Sequence, residues 1–171
     1  MEQASVIRAA IVIALAALLD AVVVPYLTFG FFSPRLTLIA VVFAVAPLRD
    51  LQAVLLGFFG GILLDALGSG LFGVGALAGL LTAMLASRAS AVRRSGSQKV
   101  LLAQVAGLAV AAYDLLGYSA RWLAGLGVPQ LGEYAVGGVL PDAVINALLA
   151  FLVGGWLLNV VNIKPPHSWE K

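Results

Sequence analysis

Five ionisable side chains fall inside or beside long apolar stretches: Asp20, Asp65, Asp114, Arg121 and Asp142. A charge left in hydrocarbon costs roughly 3 kcal/mol or more, so such residues face protein or water. Three kinds of chemistry are open to them. They can form buried pairs, caps and snorkelling side chains that fix a helical bundle. They can line a polar pocket for a ligand. They can contact a partner's membrane span. A proton relay is less attractive, because no acidic residue continues the path through the other half of the bilayer. Asp114 and Arg121 are seven residues apart, about two helical turns, and share a helix face with Gly107 a further seven back. Arg121 or Arg35 is expected to answer one or more of the aspartates. Asp142, just after Pro141, reads as a helix-start residue, and Asp50 reads as an N-cap.

Signals of catalysis are missing. The chain has no cysteine, and its one histidine, His167, stands in the C-terminal tail with no paired nucleophile. No G-x-S-x-G, HExxH or P-loop pattern occurs. The expectation is a non-enzymatic protein with no catalytic, cofactor-binding or metal-binding residue.

The elements that hold these residues follow from composition. Of 171 residues, 11% are charged and 62% hydrophobic, with a mean hydropathy of +1.06. Soluble domains carry about 25% charged residues. This chain could not cover a globular surface, and disorder and a nucleic-acid-binding face are excluded with it. Six apolar stretches are expected to cross a membrane: Val6 to about Leu27, Leu36 to Ala46, Leu51 to Leu67, Leu71 to Ser87, Val100 to about Leu123, and about Val136 to Val161. The first reads as a retained span and not a cleaved signal peptide. The second, bracketed by Pro34 and Pro47, is short enough to suit a re-entrant helix as well. Leu131 to Tyr134 is expected along the interface, with Tyr118, Tyr134, Trp122, Trp156 and Trp169 as anchors.

Charge placement selects among the counts. With six crossings, Arg8, Arg49, Arg88, Arg93, Arg94, Lys99, Lys164 and Lys171 share one side, eight of the ten basic residues. Arg35 and Arg121 fall on the other. The positive-inside rule then puts both termini in the cytoplasm, with the short second segment crossing. The basic 88–99 loop is also expected to touch anionic lipid. On this orientation Asp20, Asp65, Asp114, Arg121 and Asp142 all lie towards the outer face.

Small residues recur every fourth position, which lets helix backbones approach closely in lipid. Gly57 and Gly61 do so in the third stretch; Gly75, Gly79, Ala83 and Ser87 in the fourth; Ala103, Gly107 and Ala111 in the fifth; Asn146, Ala150 and Gly154 in the sixth. Packing within one bundle is the plainer use of these strips, and a partner-facing strip the sharper one. Ala10/Ala14 and Ala17/Ala21 are weaker candidates for the latter.

Three pieces, PRLTL (Pro34–Leu38), GFFGGILLDAL (Gly57–Leu67) and GLFGVGAL (Gly70–Leu77), stand in an order and spacing that resembles the rod shape-determining protein MreD family. LPDAVINALLAFLV (Leu140–Val153) is similar to that family's last span. Arg35 departs from the pattern, standing where an Asp is usual; Arg35 is expected to pair instead with Asp65 or Asp142. The resemblance implies a single membrane domain over residues 1–171, with a polar cytoplasmic tail at 162–171, in the bacterial cytoplasmic membrane. It implies a non-enzymatic scaffold subunit of the cell-elongation, peptidoglycan-synthesising machinery. Its implied partner is the bitopic protein MreC. Through MreC it would reach a RodA-type glycosyltransferase, a class B penicillin-binding protein and MreB filaments.

The same resemblance implies a fold similar to the substrate-binding S components of energy-coupling-factor vitamin transporters. A vitamin-binding S component is therefore the alternative function. The short 68–70 connection and outer aromatics that do not converge at one place favour the scaffold, and no internal repeat supports an ion-coupled transporter.

Overall fold

The computed structural model describes residues 2–27, 33–68, 70–92 and 98–161. The expectations for Arg93, Arg94, His167, Trp169 and the polar tail lie outside these residues. The described elements are all helical: α1 (Glu2–Val22), α2 (Val24–Leu27), α3 (Leu36–Val45), α4 (Asp50–Leu67), α5 (Val74–Val92), α6 (Gln98–Leu123), α7 (Leu131–Tyr134), a π turn (Ala135–Val139) and α8 (Leu140–Val161).

The sequence of α3 dictates the architecture. Its ten residues, LTLIAVVFAV, carry no charge and are apolar on every face. Such a helix has no side to offer water and suits either lipid or the protein interior. Every residue from Thr37 to Val45 is buried within the protein. Helices α1, α4, α5, α6 and α8 form a ring in that order and close back on α1, and α3 touches all five. The core gathers on its lower half, where Phe43 meets Ala9, Ala53, Ala86, Leu102, Ala150 and Leu157 in one cluster. At about 1.5 Å per residue, α3 is only about 15 Å long, half the hydrocarbon thickness of a bilayer.

Four helical segments are long and apolar enough to cross a membrane: Ala4–Tyr26, Asp50–Leu67, Gln98–Leu123 and Leu131–Val161. Leu36–Val45 and Val74–Ser90 are shorter apolar helices. These six correspond to the six stretches expected from hydropathy.

The glycine strips face inwards. A Cβ at Gly57 would run into the Gly79 carbonyl oxygen and the Ala83 side chain, and one at Gly61 into the Gly75 carbonyl. The α4 and α5 backbones therefore lie in direct contact. On the other side of the ring, a Cβ at Gly107 would sit 2.9 Å from the Ala143 carbonyl oxygen of α8. Gly154 lies under the ring of Phe43. In α1, Ala17 is buried and Ala14 exposed.

Three boundaries differ from the sequence reading for local reasons. Helix α5 starts at Val74 and not Leu71, because the chain turns at Gly73 with φ +103°, a left-handed conformation that favours glycine. Residues 131–134 are not a segment separate from the last span. They run through the π turn directly into α8. A proline ring clashes with the carbonyl four residues before it, here that of Gly137. The wider π turn, with Leu140 N–H donating to the Ala135 carbonyl, accommodates Pro141 without ending the helix. Asp142 consequently sits within a continuous helical path and its side chain is free to serve another element. Asp50 is the first residue of α4, and the capping position is Arg49.

Candidate functional site: the polar end of the bundle

Because α3 is short, its N-terminus stops inside the protein. The first amide N–H groups of any helix lack intrahelical partners, and burying them unpaired is costly. Side chains from the surrounding ring satisfy them. Asp20, near the end of α1, accepts from Leu36 N at 2.8 Å and Thr37 N at 2.7 Å, and also from the Thr37 hydroxyl. Asn146, fully buried on α8, accepts from Arg35 N at 2.8 Å. Its amide nitrogen donates to the Ser33 carbonyl and to the Asp142 carbonyl. Asp142 accepts from Ser33 N at 3.2 Å. Asp142 does stand in the first turn of α8, as the sequence reading expects, and its carboxylate also serves the approach to α3.

Asp65 does the same for α5. Its carboxylate accepts from Gly73 N at 2.8 Å, Gly75 N at 2.7 Å and Ala76 N at 3.0 Å. A carboxylate at a helix N-terminus also meets the positive end of the helix dipole. Gly75 has no side chain to block this approach: a Cβ there would lie 2.5 Å from an Asp65 oxygen.

Arg35 pairs with neither Asp65 nor Asp142, contrary to expectation. Both of those carboxylates are occupied by backbone N–H groups. Its guanidinium instead reaches Asp114 on α6, with Nη2 to Oδ1 at 3.6 Å. It also lies over the Tyr113 ring, 4.7 Å from the centroid. An acid at position 35 would face Asp114; an arginine answers it. Sequence reasoning missed Tyr113, Ser33 and Thr37, since neither hydroxyls nor a lone tyrosine in an apolar run carry a spacing signal.

Above the floor made by Ser33, Pro34 and Arg35 is a cavity of about 530 Å³. It exists because α3 does not fill the ring to its end. Asp20, Tyr113, Asp114, Arg121 and Tyr134 line its polar side, and Ala17, Ala21, Val24, Leu64, Leu67, Leu71 and Val74 much of the rest. Tyr134 stacks on Tyr118 with centroids 5.1 Å apart, and the Tyr118 hydroxyl donates to the Pro129 carbonyl. The expectation that the aromatics at this end do not converge is therefore corrected: Tyr113 and Tyr134 meet at one cavity. Trp122 and Trp156 are both exposed on the bundle exterior. Arg8, Arg49, Arg88 and Lys99 stand at the opposite end of their helices. Among the described residues, no group of three or more His, Cys, Asp or Glu could hold a metal ion.

Chemically, most of this polar end is spent on helix starts, and a smaller part borders the cavity. Neither a curated protein nor a solved structure matches the chain. A family model described as rod shape-determining protein MreD matches residues 3–162. That match spans nearly all of the sequence and every helix of the bundle. The chain therefore belongs to the rod shape-determining protein MreD family, and is a membrane protein with a role in rod-shape determination.

Proposed function

We propose that this protein is a non-enzymatic scaffold of the cell-elongation complex in the bacterial inner membrane. It crosses six times with both termini in the cytoplasm. It binds an MreC-like bitopic protein and through it serves a RodA-type glycosyltransferase, a class B penicillin-binding protein and an MreB-like filament. The family match over residues 3–162 carries the reading. The use of Asp20, Asp65, Asp142 and Asn146 as caps supports it, because these residues serve the frame of the bundle and not a reaction.

Co-expression with the MreC-like partner and purification in mild detergent tests the proposal. A stable complex is expected; its reproducible absence would sink the scaffold reading. The topology has its own check, made simple by the lack of native cysteine. Gly127→Cys is expected to react with an impermeant maleimide on intact spheroplasts, and Arg49→Cys only after permeabilisation. The reverse pattern would invert the orientation.

The vitamin-binding S component has one observation in its favour, the cavity at the end of the bundle. A large rise in thermal stability with one water-soluble vitamin would favour it over the scaffold.

A further inference from the structure

The turn between α4 and α5 stops short of the level that α6 reaches. Gly117 of α6 marks the register: a Cβ there would lie 4.0 Å from Cγ1 of Val74, the first residue of α5. Gly70, in the turn, is held beside the same part of α6, where a Cβ would lie 3.6 Å from the Tyr113 hydroxyl. From Gly117, α6 continues to Leu123, about 9 Å further at about 1.5 Å per residue. Arg121 and Trp122, near its end, are both exposed and are residue types suited to a membrane–water boundary. Between Lys99 and Arg121 the helix rises about 33 Å, close to the ~30 Å of bilayer hydrocarbon. With α6 placed so, the start of α5 falls about 6 Å inside that boundary.

A connection at such depth needs its backbone polar groups satisfied without outside water. The amides on either side of this turn meet that need. Gly68 N donates to the Leu64 carbonyl, Val74 N to that of Leu71 and Leu77 N to that of Gly73. Gly73, Gly75 and Ala76 all donate to Asp65. Gly70 and Leu71 border the polar-ended cavity on the inner side of the turn. Irregular backbone at membrane depth is tolerated where it is buried in protein or lines a polar cavity.

The outward side of the turn is apolar. Phe72 is 72% exposed, and with Phe58, Leu77, Leu116, Ala120 and Leu123 it lines a step where α6 rises past the turn. No charged residue lines this step, and its one hydroxyl, that of Ser119, donates to the Leu115 carbonyl. Such a surface asks for nothing polar from whatever covers it, and at this depth the surrounding medium is hydrocarbon.

We infer that the α4–α5 turn lies inside the bilayer hydrocarbon, below the membrane surface, and that lipid acyl chains fill the step beside α6. Asp65 makes the submerged turn possible by taking three amides that water would otherwise have to meet. The inference goes beyond the scaffold reading. It does not depend on partner binding, and it holds whichever face of the membrane the turn approaches.

The test uses the purified full chain in phosphatidylcholine liposomes with no partner present. The lack of native cysteine allows a nitroxide label at one introduced position at a time. Phe72→Cys and Ser119→Cys report on the step, and Gly127→Cys, on the loop beyond α6, is the aqueous control. Collisions with oxygen, which concentrates in hydrocarbon, are compared with collisions with a water-soluble nickel chelate. Oxygen is expected to exceed the chelate at positions 72 and 119, and the order is expected to reverse at 127. Ser119→Cys, a near-isosteric change on an exposed face of α6, keeps the test available if Phe72→Cys does not fold. A chelate signal above that of oxygen at either step position puts the turn in water and overturns the inference. A label at the step that neither reagent reaches shows protein covering it, and overturns the assignment to lipid.

Discussion

Gly61→Leu is expected to prevent the bundle from folding. At this position a Cβ would meet the carbonyl oxygen of Gly75, which is backbone and cannot rotate away. Gly57 and Gly79 repeat the arrangement one turn along. Overpacking a well-packed interior costs about 1–3 kcal/mol when side chains can adjust. Here two helix axes must separate, so the cost is expected at roughly 3 kcal/mol or more. Helix association in lipid depends on close packing and not on a hydrophobic gain, so separated backbones lose the contact itself. The Asp65 bonds to the start of α5 stretch with it. Gly61→Leu should appear as lost yield and a broad elution profile in detergent. Gly127→Ala, where nothing lies within 4 Å of the added atom, is the control and should match the wild type. A Gly61→Leu protein that is monodisperse with an unchanged unfolding temperature would show that the α4–α5 contact is not needed.

How far such features can be read from sequence depends on whether the partner is also periodic. The Gly57–Gly61 and Gly75–Gly79 strips are each visible as a spacing, and their meeting follows because consecutive helices joined by a short turn pack antiparallel. The apolar ten-residue run of α3 is visible too, but an apolar surface all round suits lipid as well as protein, so its central place in the ring was not legible. The partners of the aspartates were not legible. Asp20, Asp65 and Asp142 bind backbone N–H groups, and every residue but proline has one, so no residue type marks the acceptor's target. The sequence reading therefore expects Arg121 or Arg35 to answer one or more of the acids, with Asp65 or Asp142 as the candidates for Arg35. The π turn was hidden for a related reason, since Pro141 signals a disturbance but not which side of it the helix continues. The cavity was least legible of all. It is made by the shortness of α3 relative to its neighbours, a property of five helices at once.

Asp65→Ala is expected to have the second large effect, and it separates a structural role from a partner-binding one. The substitution removes the acceptor for three amide N–H groups, those of Gly73, Gly75 and Ala76, at the first turn of α5. Gly75 and Ala76 are buried, so water does not readily replace the carboxylate. A buried donor left unmade costs about 1–3 kcal/mol. The loss is expected at roughly 3 kcal/mol, below the full sum because the first turn can fray. Asp65→Asn should fall between wild type and alanine: it keeps one carbonyl acceptor but turns an NH₂ towards donors. Thermal unfolding in detergent gives the order, and amide exchange at residues 73–76 should accelerate in Asp65→Ala before the rest of α5 does. If Asp65 instead served chiefly to hold a partner, Asp65→Ala would keep its unfolding temperature and its protection at 73–76 while losing the complex. Unfolding temperature and protection fall together under the structural role and both hold under the partner-binding one. The geometry supports a place for Asp65 in the frame, because its hydrogen bonds among the described residues all come from the start of α5 and the glycine just before it.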